Sequence, residues 1–157
     1  MTRRILPVIR GEFRKKAQAL IKRGSKATIQ GDGWSAINEH HLNAFMMTVE
    51  QKVRNEILST PYDRTKVPKI HTLRVHDSSG ESKTAEKLLE LLELVIKEAE
   101  TEWGVTVVAV CTDASGESRK ARRLLKAKFP HLVTPDCYAH QVGCSTERVL
   151  TTFSNDL

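Results

Sequence analysis

A long amphipathic stretch that runs straight into an apolar run constrains this 157-residue chain more than any other feature. From Ser82 to Trp103, the residues Ala85, Leu88, Leu89, Leu92, Val95, Ile96, Ala99 and Trp103 recur three and four apart, with Glu and Lys between them. That period lays one apolar stripe along a helix and leaves the opposite face to water. Ser82 offers an oxygen to cap the start, and Gly104 can end the helix without steric cost. Immediately afterwards VTVVAVCTD, residues 105–113, is apolar almost throughout. A strand of that composition belongs at the centre of a sheet, covered on both faces, beside a parallel neighbour.

The segments before the helix are different. Residues 5–23 place Val8, Phe13, Ala17, Leu20 and Ile21 at helical spacing among basic residues, and Gly24-Ser25 ends them. ATIQGDGWS reads as a short strand broken at Gly31 and Gly33 around Asp32. HHLNAFMMTVE alternates Leu42, Ala44 and Met46 with Asn43, Phe45 and Met47, as a strand with both faces partly covered would. Residues 51–66 hold Pro61 and scattered charge, so an irregular connection is expected there. KIHTLRVHD alternates imperfectly through Ile70, Leu73 and Val75, a third strand. Downstream, GESRKARRLLKAKF is a basic amphipathic helix ended by Pro130, HLVTPDCYA a short last strand, and Ser145 to Phe153 a weak helical signal.

Three strands without intervening helices suggest an antiparallel meander. A helical crossover then returns the chain parallel to the first strand, with the usual right-handed connection. That order is the ribonuclease-H-like one: an α/β mixed sheet, three antiparallel strands followed by parallel strands with helical crossovers. A flavodoxin-like layout needs helices between the early strands, and residues 36–49 supply none. The expected division is a basic lead-in helix over 1–26, one domain over 27–143 and a divergent tail over 144–157.

Charge is uneven. Residues 1–26 hold nine Lys or Arg against the single acid Glu12, a balance of +8 in a chain whose total is +6, which leaves the remainder at −2. Such a segment can meet phosphate backbones through Coulomb attraction and counterion release, or simply form a solvated helix face. The candidates are Arg14, Lys15, Lys16, Lys22 and Arg23, joined by Arg119, Arg122, Arg123 and Lys126 on the later basic helix. No apolar run reaches bilayer length, and the N-terminus has no apolar signal core, so no membrane partner is expected. Three cysteines without framework spacing point to a reducing compartment rather than a disulfide scaffold. Neither Gly-x-Ser-x-Gly nor a phosphate-binding Gly-x-x-x-x-Gly-Lys-Ser/Thr segment occurs, and no small-molecule cofactor is indicated.

In the expected topology Asp32, on the first strand, and Asp113, at the end of the strand after the long helix, reach one sheet edge together. Two carboxylates there suit a hard divalent cation, Mg²⁺ or Mn²⁺. An aspartate after a strand also commonly caps a turn or helix, so spacing alone leaves both uses open.

GDGWS (31–35), VAVCTDAS (108–115) and CYAH (137–140) resemble the Asp-x-Trp, Thr-Asp-x-x-Ser and Cys-x-x-His blocks of hAT-superfamily transposases. They are most similar to a transposase-like domain of unknown function common in plant and fungal genomes. HDSSGESKTAEKLLELL, WGVTVVAV and RRLLKAKFP also resemble it, so the likeness spans residues 3–143. It implies a ribonuclease-H-like core that cuts and rejoins DNA with acidic residues and divalent metal. Asp32 and Asp113 would be its first two catalytic acids and metal ligands. Cys137 and His140 would be its Cys-x-x-His pair, and Trp34 an aromatic beside the first acid. DNA, and other protein chains, are the implied partners, and the nucleus the implied location.

The chain departs from that family after His140. The family's third acid, a Glu, follows a large helical insertion that is absent here, and QVGCSTERVLTTFSNDL replaces the usual apolar segment. Glu147 and Asp156 are the acids left downstream, in no recognisable block. The expectation is therefore a truncated core, incomplete at its C-terminus and inactive alone, or else a non-catalytic module that binds DNA or protein. Trp34 fits core filling better than a stacking platform. Zinc at Cys137 and His140, with Cys144 and His131 nearby, is disfavoured because a structural site needs two clear ligand pairs. His40-His41 reads as a strand entry, His71 and His76 as flanking the third strand, and Asp77 before Ser78-Ser79-Gly80 as turn chemistry.

Overall fold

The computed structural model of the chain describes residues 2–35, 40–52 and 66–137. In chain order these form α1 (Thr2–Leu20), β1 (Lys26–Ser35), β2 (His41–Lys52), β3 (Lys66–Asp77), α2 (Ala85–Glu102), β4 (Thr106–Thr112) and α3 (Gly116–Lys128). The sheet order is β3-β2-β1-β4: β1, β2 and β3 are antiparallel, and β4 runs parallel to β1. The α/β class and the antiparallel-then-parallel arrangement agree with the sequence. The irregular connection and the last helical signal fall largely on residues outside those described, as does His140.

Alternation decides which strand face meets the helices. Ala27 and Ile29 of β1 and Phe45, Met47 and Val49 of β2 are buried, while their neighbours Gln30 and Glu50 are exposed. Against them lies the stripe of α2, where Leu92, Val95 and Ala99 are fully enclosed. Each such Leu or Val contributes about 1.5–3 kcal/mol of burial. Val107 and Val110 of β4 and Leu125 of α3 complete the same core.

β1 is one continuous strand of ten residues, not a strand broken at its glycines. Extended backbone is open to glycine as to any residue, and Gly31 and Gly33 both keep their partners, Phe45 and Asn43, across the antiparallel ladder. The imperfect pattern of β3 also has a cause. The ladder to β2 slips between Phe45 and Met46, whose partners are Arg74 and Thr72, so Leu73 is an extra residue. A bulge shifts the alternation by one. Leu73 keeps the inward parity of His71 and is buried, and Ile70 faces outward by the same alternation. The bulge turns Val75 outward, leaving Ile70 and Val75 63% and 52% exposed.

The α2 cap is Thr84 rather than Ser82: its side chain accepts the Lys87 N–H at 3.3 Å. At the other end Gly104 has φ +64, and Gly24, in the turn from α1 to β1, has φ +77. The Gly24 N–H donates to the Gly104 carbonyl at 2.7 Å, and the Thr106 N–H to Ser25 O at 2.9 Å. These two bonds fasten the turn before β1 to the turn before β4. The anticipated last strand consists of two parallel bridges along the outer edge of β4, Ala109 with Val133 and Thr112 with Asp136.

A carboxylate joins three elements. Glu98 of α2 is buried and accepts Arg14 Nη2 of α1 at 2.7 Å and Arg74 Nη2 of β3 at 3.0 Å. Arg14 also pairs with Glu102 at 2.8 Å and lies 5.3 Å from the Trp103 ring centroid. The His71 ring stands 5.1 Å from that of Trp103. Burial first, and Lys69 second, hold His71 below its ordinary pKa of 6.5. The folded state thus resists a proton that the unfolded state accepts, so stability falls as pH drops through the range just below 6.5. Urea midpoints measured from pH 7.5 down to pH 5 are expected to fall more steeply for the wild type than for His71→Gln.

Candidate functional site

The parallel pairing of β1 with β4 builds the site. Gly31 and Thr112 are the last register partners of the two strands, so Asp32, still paired with β2, and Asp113, just past the end of β4, follow them at the carboxyl edge of this pairing. Both line a cavity of about 360 Å³ that also takes in Trp34, Asn43 and Ser115. Asp32 is exposed on the extended end of β1, and Asp113 is half-buried between β4 and α3. The structure therefore brings together the two acids singled out in the sequence.

Asp113 is held where a strand becomes a helix. Its Oδ1 accepts the Ser115 N–H at 3.2 Å, and Ser115 caps α3 by accepting the Ser118 N–H at 3.2 Å. This Thr-Asp-x-Ser arrangement gives one carboxylate a turn role and leaves it on the cavity wall. Glycine is needed across the sheet. A Cβ at Gly33 would stand 2.8 Å from Asn43 Oδ1, the side chain that donates to Ser78 Oγ at 2.9 Å.

Arg122 corrects the expected basic face. It is only 3% exposed and points beneath the end of β4 instead of toward solvent. Its Nη1 donates to the Thr112 carbonyl at 3.2 Å, to the Asp113 carbonyl at 2.6 Å and to Thr112 Oγ1, while Nη2 pairs with Asp136. One guanidinium thus ties β4, the Asp113 turn and the segment after α3 together. Burial lowers its pKa, while the Cys111 thiol and the Asp113 carboxylate act in the opposite direction. Position 122 falls on the inner side of α3 with Ser118, Ala121 and Leu125, a periodicity readable in the sequence had charge not masked it.

The remaining cations divide. Arg119 and Arg123 are exposed. Lys126 is exposed, but its Nζ donates to the carbonyls of Pro130 and Leu132 at 2.7 and 2.6 Å, so its charge is engaged at the end of α3. On α1, Arg14 is committed to Glu98 and Glu102, whereas Lys15, Lys16, Lys22 and Arg23 are exposed. Trp34 is 46% exposed, which overturns its reading as core filling: it projects from an edge of the site opposite Leu42.

Cys137 donates its N–H to the Thr112 carbonyl at 2.9 Å. Its thiol neighbours that of Cys111, whose pKa burial and then Cys137 push up. Asp77 accepts the Ser79 N–H at 3.0 Å, as turn chemistry requires, and His76 pairs with Glu81 at 2.8 Å. Among the described residues no group of three His, Cys, Asp or Glu side chains is placed to hold a metal ion. None of their helices is long and apolar enough to cross a membrane. No family model matches the chain, and no curated protein does either.

Removing the buried guanidinium is expected to be costly, because it strands Asp136 and three backbone and side-chain acceptors. Arg122→Leu should lower stability by about 3 kcal/mol, and Arg123→Ala by less than about 0.5 kcal/mol. Urea unfolding of the two variants beside the wild type measures the contrast.

Proposed function

We propose that the chain is a ribonuclease-H-like core of the hAT-transposase type, built around a two-carboxylate site for Mg²⁺ or Mn²⁺. The observation that supports it most is the Gly31–Thr112 register, which sets Asp32 and Asp113 next to each other on one cavity wall. The sheet order with its α2 crossover is compatible with that assignment.

The donor set fits the cation. Both groups are hard anionic oxygens on neighbouring strands, the ligand chemistry that Mg²⁺ and Mn²⁺ prefer. Bound there, the cation would supply Lewis acidity toward a phosphodiester. The protein's own contribution is positional. Ser115 and Arg122 fix the turn that carries Asp113, the β1 ladder fixes Asp32, and Trp34 offers an exposed ring on the same rim. Exposed Arg119 and Arg123 would meet phosphates. With two acids the site is expected to hold a cation weakly and to cut DNA poorly or not at all.

Mn²⁺ titration of the purified chain, followed by water-proton relaxation, tests the site. A saturable response is expected for the wild type, with affinity reduced at least about tenfold in Asp32→Asn and in Asp113→Asn. Equal responses in all three proteins would remove the two-acid site.

A second reading is favoured by the exposed cations Lys15, Lys16, Lys22, Arg23, Arg119 and Arg123: a non-catalytic module that binds DNA without a cation. Its affinity for duplex DNA should fall roughly tenfold between about 50 and 200 mM salt, as release of a few counterions requires. Replacing Arg119 and Arg123 by Ala should flatten that slope, and EDTA should leave it unchanged. A salt-independent affinity would dispose of this reading.

A further inference from the structure

Two cysteines meet at the base of the same sheet edge. Cys111 is the penultimate residue of β4, and Cys137 follows Asp136 in the segment paired along the outer side of that strand. The bridges Ala109 with Val133 and Thr112 with Asp136 share one parallel register. Continued by one residue, that register sets Cys137 opposite Asp113. Residues two apart on a strand share a face, so Cys111 and position 113 lie on one side and Cys137 meets Cys111 along the diagonal. Both residues are half-buried, and Cys137, second to burial, raises the pKa of the Cys111 thiol. The backbone between them is already fixed, by the Cys137 N–H to Thr112 O bond of 2.9 Å and by Arg122 bridging Thr112 to Asp136.

We propose that Cys111 and Cys137 are a thiol pair that a low-molecular-weight disulfide such as oxidised glutathione converts, reversibly, into an intramolecular disulfide bond. One cysteine, as thiolate, attacks a sulfur of the glutathione disulfide, forming a mixed disulfide and releasing one glutathione thiol. The second cysteine then attacks the protein sulfur of that mixed disulfide and releases the other glutathione. Two protein thiols are oxidised, one glutathione disulfide is reduced to two thiols, and the two thiol protons leave with the glutathione. The product spans α3 with a closed loop and fastens the 132–137 segment covalently to β4, where two isolated bridges and one guanidinium now hold it. It makes the wall behind Asp113 responsive to thiol–disulfide balance, whether or not a cation binds in front.

The test uses the full chain bearing Cys144→Ser, so that one partner pair is available, together with the wild type. After incubation with oxidised glutathione, free thiols are alkylated and the protein is digested without reductant for mass spectrometry. The expected product is the Cys111 peptide joined to the Cys137 peptide, two hydrogens lighter than their sum and separated by reductant. The oxidised protein should also melt roughly 5–10 °C higher than the reduced one. Cys111→Ser and Cys137→Ser should each yield neither the linked peptide nor the shift. Separate glutathione adducts on the two cysteines, both thiols unreacted, or a wild-type link from Cys137 to Cys144 in place of Cys111 would each overturn the proposal. None of these readouts depends on Mn²⁺, so loss of the cation site and loss of the thiol pair are told apart.

Discussion

The parallel contact between β1 and β4 is the constraint on which the rest of the structure depends. A parallel neighbour cannot be reached by a hairpin, so the chain needs a crossover long enough to return along the sheet, and α2 is that crossover. The stripe of α2 then has to cover the sheet it crosses, which places Leu92, Val95 and Ala99 in one core with the inward residues of the strands. The start of the pair is set by the Gly24–Gly104 and Ser25–Thr106 bonds. Its end is set by Arg122. Because parallel register runs both strands in the same direction, fixing their beginnings also fixes which residues emerge together at the far edge. Asp32 and Asp113 are neighbours for that reason.

Charge in this chain does two kinds of work, and composition does not separate them. Glu98 binds α1 to β3 through Arg14 and Arg74, and Arg122 binds β4 to the segment after α3. Removing one partner from such groups leaves the others desolvated and unpaired, so they act as structural fixtures. Lys120 and Lys128 instead pair with Glu86 and Glu93 of α2 at the surface, where an ion pair contributes little. What remains for an outside partner is narrower than the net charge of +6 suggests. Of the exposed cations of α3, Lys120, Lys126 and Lys128 already have partners within the chain, and Arg119 and Arg123 face outward beside them.

Where the sequence was legible, a strong period or a continuous apolar run made it so. α2 and β4 fall where expected, and the sheet order follows from them because crossover connections leave few topologies. Asp32 and Asp113 were legible as a pair by the same route. Local conformation was harder to read: glycines in β1 suggested a break, yet extended backbone accommodates them when both flanks are paired. Val75 could not be assigned its outward face beside an inward Leu73, since a bulge reverses parity and nothing in the residue string marks it. Arg122 was misplaced because a guanidinium reads as surface by default, although its helical position is an inward one. Trp34 goes the other way: a large ring suggests core, yet it stands 46% exposed at the cavity. The Cys111–Cys137 encounter depends on an edge pairing between segments some two dozen residues apart, which no local pattern records.

The two aspartates are unequal, and that decides how a cation would respond to each. Asp113 sits at the N-terminal end of α3, accepts the Ser115 N–H and has the Arg122 guanidinium close by. A carboxylate there is stabilised as an anion by fixed dipoles and a fixed positive charge. Whatever those groups supply, a cation does not need to supply again, so the gain on coordination through Asp113 is reduced. Asp32 is exposed on an extended strand end. Its negative charge is balanced mainly by water, which a divalent ion can replace. If the proposed cation binds, Asp113 would set its position and Asp32 would supply more of its affinity, so the carboxyl end of β1 is where that chemistry would be governed.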